Sequence, residues 1–184
     1  NATENIKNPS YFYETRELAT TYIASFYAEQ KNFELAIKQY EALFQYIEKN
    51  KIDERKITAI VYLYFSRFHR NIRDMTVALE YAHKAKEVAT KNKLFYRVAM
   101  AYLELAAIKL ETDNYEEATL FLEKAFKLLD GNTEFVGLLS KYYYIKSLVA
   151  NKEANTFEEV YNAERAFELL NKETVSNKNI TVGN

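Results

Sequence analysis

Apolar residues recur along the 184-residue chain at helical spacing, and the polar breaks between the runs are only a few residues long. The pattern predicts eight helices. The first runs from about Tyr11 to Gln30 after the start signal Pro9-Ser10. The second follows Asn32 to about Lys49, the third spans roughly Glu54 to Asn71, and the fourth begins at Asp74 and fades near Asn92. The fifth runs from about Leu94 to Glu111. The sixth is capped by Asp113-Asn114 and stops at Gly131, a residue suited to the left-handed position after a helix. The seventh covers about Thr133 to Asn151. The eighth opens on Thr156-Phe157-Glu158-Glu159, a capping-box pattern in which Glu159 reaches back to the Thr156 amide. Beyond Lys172 the residues are polar and aperiodic, which predicts a frayed tail.

Laid over this pattern are three columns of mostly small residues. Ala24, Ser66, Ala106 and Ser147 form the first; Ala36, Ala78, Ala118 and Glu159 the second; Leu43, Ala85, Ala125 and Ala166 the third. Each column steps by 42, 40 and 41 residues, and within a unit the separations are always 12 and then 7. A residue kept small at one place in successive helices marks a close approach of backbones, so the chain reads as four antiparallel helical hairpins. Residues 1–10 form a leader, 11–172 the repeat domain, and 173–184 a flexible tail; the units cover about 11–50, 53–92, 93–131 and 132–172. A bulky residue just inside the second helix of each pair (Phe33, Met75 and Tyr115, with Phe157 one place late in the last) is expected to plug the open end of the hairpin.

Composition narrows the classes of function. Three Gly and one Pro leave no material for Gly-rich phosphate loops or a β-rich fold. A net charge of −1 provides no field for nucleic acid or anionic lipid. With no Cys there is no disulfide framework, and no apolar run reaches the length of a membrane span, so a cytoplasmic protein is expected. The opening Asn1-Ala2 looks like the remnant of a cleaved tag, so the sequence is expected to start inside a longer protein.

The spacing carries a resemblance. Tyr102-Leu103-Glu104-Leu105-Ala106, then Asn114-Tyr115-Glu116-Glu117-Ala118, then Ala125 resembles the tetratricopeptide repeat, and the likeness covers about residues 11 to 172. It implies an all-α superhelix whose first helices line a concave, peptide- or protein-binding face. The period of about 41 exceeds the usual 34. Long repeats of this type are similar to the C-terminal sensor domains of quorum-sensing transcriptional regulators in Gram-positive bacteria. Those domains follow an N-terminal DNA-binding or output domain and bind short secreted peptides. The resemblance thus implies a peptide- or protein-binding domain of a bacterial regulator, with a structural scaffold or dimerisation module as the alternative.

On the concave face the resemblance points to Tyr22, Tyr64, Arg67, Arg70, Asn71, Glu104, Tyr144 and Asn151, with Ser25, Glu29, Leu63, Leu103, Ala107 and Glu111 nearby. Arg holds a carboxylate through two hydrogen bonds, Asn bonds both sides of a peptide backbone, and Tyr supplies area at low entropy cost. Where the family carries interior Asn clamps, this chain has Tyr22, Tyr64, Glu104 and Ile145. Arg67, Arg70 and Arg73 recur at i, i+3 and i+6, either as an anion site or as a solvated face paired with acids such as Glu104 or Glu111. In Tyr142-Tyr143-Tyr144 only Tyr144 is expected to reach the groove.

No catalytic constellation, cofactor or metal site is expected. His69 and His83 are the only histidines and have no neighbouring Cys or His ligand in sequence. Neither direct nucleic-acid contact nor a membrane enters the reading. The last helix carries an apolar stripe of Val160, Ala163, Ala166, Phe167 and Leu170, with Phe157 and Tyr161 on another side, so a homodimer through the C-terminal repeat is the self-association it offers.

Overall fold

In the computed structural model the described backbone covers residues 9–132 and 135–181, with side chains over 15–132 and 135–172. The described residues are all-helical: α1 Pro9–Glu29, α2 Phe33–Asn50, α3 Thr58–Asn71, α4 Met75–Lys91, α5 Phe95–Glu111, α6 Tyr115–Leu129, α7 Val136–Lys152 and α8 Thr156–Thr181. None of them is long and apolar enough to cross a membrane. The chain divides into two compact units, residues 1–94 and 95–184.

All four hairpin turns share one backbone design. Lys31, Arg73, Asp113 and Ala154 each take a left-handed φ between 56° and 67°. The residue that follows, Asn32, Asp74, Asn114 or Asn155, accepts with its side-chain oxygen from the amide three residues on, at 3.2–3.3 Å. The two turn amides bond back to the first helix in the same way each time, as in Arg73 N to Arg70 O at 3.1 Å and Asp74 N to His69 O at 2.9 Å. That is a Schellman-type stop feeding directly into an N-cap, and it satisfies groups that helix ends otherwise leave orphaned. It also corrects two expectations. Asn155, not Thr156, caps the last helix, and Glu159 Oε1 accepts from Asn151 Nδ2 at 2.8 Å instead of reaching back to the Thr156 amide. Gly131 does take the left-handed conformation, at φ 75°.

In the first unit α1 pairs with α2, α3 pairs with α4, and α1 lies beside α3. Ala24, Ala36, Ser66, Ala78 and Ala85 are all fully buried, as the columns require. An aromatic cluster joins the two hairpins: Phe44 and Phe65 have ring centroids 4.7 Å apart, Tyr40 and Phe65 4.9 Å, and Phe65 and Tyr81 4.6 Å. Glu17 occupies the place one column earlier, where the later hairpins have Ala59, Ala99 and Ser140. It is buried, and its Oε1 accepts from Thr58 Oγ1 at 3.2 Å.

In the second unit α5 pairs with α6, α7 pairs with α8, and α7 also touches α5 and α6. Ala106, Ala118, Ala125, Ser147 and Ala166 are buried. Ser140 Oγ donates to Ala166 O at 2.8 Å, tying α7 to α8. Glu159, the misfit in its column, is half-buried. The expected plug fails at Phe157, which is 81% exposed. Helix α8 runs on to Thr181, past Lys172 where fraying was expected.

Candidate functional site

Four of the anticipated residues lie in the first unit on or near one cleft. Ser25 and Glu29 of α1, Tyr40 of α2, and Tyr64, Arg67, Phe68 and Asn71 of α3 line a cavity of about 160 Å³. That is smaller than the several hundred Å³ of sites for whole small-molecule ligands, so it is sized for one side chain or a chain terminus. Tyr22 stands beside it, edge-on to Tyr64 at 5.8 Å. The Arg67 guanidinium lies 5.6 Å from the centre of the Tyr64 ring, within reach of a cation–π contact.

Tyr40 forms the floor of this cleft. Its ring packs on Phe65 and Phe68 while its hydroxyl lies 3.5 Å from Ser25 Oγ. Burial pushes the Tyr40 hydroxyl up to about 12, opposed first by the Ser25 contact, with Tyr64 raising it and the nearby Arg67 charge lowering it. The floor is therefore a neutral hydroxyl at ordinary pH. Sequence reading missed Tyr40 because it belongs to a second helix. The available signal was its size, since the equivalent places hold Ala82, Leu122 and Ala163.

The other anticipated residues do not join this cleft. Arg70 sits on α3 next to the lining but outside it. Arg73 lies past the end of α3 in a left-handed conformation, so the expected three-arginine stripe is broken at its last member. His69 is packed against Phe65 at 4.4 Å and meets Asp74 Oδ2 through Nδ1 at 3.2 Å.

Glu104, Tyr144 and Asn151 belong to the second unit. Glu104 was expected to be exposed and is instead fully buried, with Lys141 Nζ 3.4 Å from its Oε2. Leu63, Leu103 and Ala107, also expected on an open face, are buried too. The reason is that first helices lie side by side, α1 against α3 and α5 against α7, so much of that face is interhelical packing. Tyr144 is exposed while Tyr142 of the same run is buried. Asn151 is exposed and bonded to Glu159.

Among the described residues no group of three His, Cys, Asp or Glu side chains comes together. In comparisons with known proteins, no family model matches the chain and no curated protein is significantly similar to it.

Proposed function

We propose that the chain is a peptide- or protein-binding domain built on tetratricopeptide-like hairpins, and that its first unit holds the end of an extended peptide. The repeat spacing supports the superhelical family; the cleft at Arg67 supports the binding mode. A guanidinium, the Tyr64 ring, an Asn and a Ser converge on a space the size of one residue, with Tyr22 beside it and a neutral hydroxyl beneath. This set suits a carboxylate held against Arg67 with an apolar side chain over Tyr64 and Tyr22. Glu29 on the rim favours a peptide without acidic residues further along. Within a regulator of the kind the resemblance implies, occupancy of the cleft would bias how an output domain is held.

The test is a thermal-shift panel of short hydrophobic peptides, each with a free or an amidated C-terminus. Free-carboxylate peptides should raise the melting temperature, since a ligand at a hundred times its Kd adds about 2.7 kcal/mol to the folded state. Amidation and Arg67→Ala should each remove the shift while helicity stays intact. Equal shifts for both peptide forms, or none across the panel, would refute the reading.

A further inference from the structure

Each unit contains one join between successive hairpins; the joins share the Phe44/Phe126 position on the second helix but meet different positions on the helix that follows. In the first unit Phe44 of α2 meets Phe65 of α3 at 4.7 Å, and Tyr40 meets Phe68 at 5.6 Å. In the second, Phe126 of α6 stacks on Tyr142 of α7 at 5.0 Å. The repeat spacing carries Tyr40 and Phe44 onto Leu122 and Phe126 of α6, and then onto Ala163 and Phe167 of α8. It likewise carries Phe65 and Phe68 onto Lys146 and Val149 of α7, and back onto Ile23 and Phe26 of α1.

On α8 and α1 these faces are open. Phe167 and Val160 are 65% and 50% exposed, and Ile23 and Phe26 are 46% and 58% exposed. We propose that they dock on each other between two copies of the chain, α8 of one copy receiving α1 of the next as α2 receives α3. The register pairs apolar with apolar: Phe26 falls on Ala163, and Phe167 on Ile23. The positions that make the join of the first unit thus recur, exposed, on α8 and α1 of the same chain. The occupant is a second copy, and the contact is head-to-tail. Such a heterologous contact propagates unless it closes into a ring, so association should deepen with concentration. None of these four residues lines the cleft at Arg67, so the inference stands apart from the peptide reading.

Light scattering tests it on the whole chain. Between micromolar and millimolar concentration the mass should climb from 21.6 kDa to twice that or more. Phe167→Glu and Ile23→Glu should each hold the mass at the monomer value. Mixed in equal amounts they should form a dimer and go no further, because each variant keeps one intact face. Unchanged circular dichroism shows that the variants fold; Val160→Lys and Phe26→Lys form a second pair with the same expectation. Three results would overturn the proposal: a wild type monomeric throughout, an Ile23→Glu variant that associates like wild type through α8 alone, or a mixture that stays monomeric.

Discussion

Ser66 on α3 donates its hydroxyl hydrogen to the carbonyl oxygen of Ala78 on α4 at 2.8 Å, and both residues are fully buried. They are the first- and second-column members of one hairpin. A side chain reaching a main-chain oxygen on the facing helix is only feasible where the two helices nearly touch. The small columns are therefore contact points of the hairpin, and the hydroxyl adds a bond at a place where there is no room for anything larger.

Ser66→Ala should cost about 1 kcal/mol, the net worth of one buried hydrogen bond. Ser66→Leu should cost about 3 kcal/mol, because it forces the helices apart. Ala106→Glu should be worse still, about 4 kcal/mol or more, since it buries a charge at the equivalent contact. Urea unfolding followed by circular dichroism measures all three. A mild Ala106→Glu variant would refute the register.

Alkaline unfolding should expose Tyr40. Its hydroxyl is raised to about 12 when folded, against about 10 when unfolded. The folded state therefore holds this proton more tightly than the unfolded chain. The contribution is fully present below pH 10 and is lost as pH rises toward 12, at about 1.4 kcal/mol per pH unit. Tyr62 and Tyr142, also raised to about 12 by burial, add to the fall. Tyr40→Phe should flatten the decline above pH 10 and change stability little at pH 7.

Asp74 serves two neighbours. One oxygen caps Val77 N at 3.3 Å, and the other meets His69 Nδ1 at 3.2 Å. Asp74→Ala should cost about 1–2 kcal/mol, in line with the loss of a helix cap. Asp74→Asn should recover most of that, since Asn32, Asn114 and Asn155 cap the other three hairpins. Thermal melts of the two variants compare them directly.

Phe157→Ala should shift stability by less than about 0.5 kcal/mol, as for other exposed positions. It is the bulky residue expected as the plug of the last hairpin, one place late against Phe33, Met75 and Tyr115, and 81% of the side chain meets solvent. A large loss in the melt would show that the ring packs where the structure leaves it open.

Much of this architecture was legible from one signal. The recurrence of Ala24, Ser66, Ala106 and Ser147 identified hairpins, because small residues at interhelical contacts are demanded locally and repeat with the unit. The turn residues Asn32, Asp74 and Asn114 were readable for the same reason. Asn155 has the same spacing, but the local Thr156–Glu159 pattern pointed elsewhere, and only the backbone geometry at Ala154 decides between them. Candidate residues on one helix also grouped well: Tyr64, Arg67 and Asn71 line one cleft.

Spacing along the chain, then, determined by itself that the protein is helical, where the helices turn and which residues must stay small, since these follow from short-range geometry and a fixed repeat. Burial across helices was decided only in three dimensions. Glu104 looks like a solvated groove residue until Lys141, 37 positions later, is brought against it. Tyr40 looks like core until α3 leaves its hydroxyl at the floor of a cleft. A side chain's solvation depends on neighbours supplied by distant segments, and helical periodicity carries no record of which segments those are.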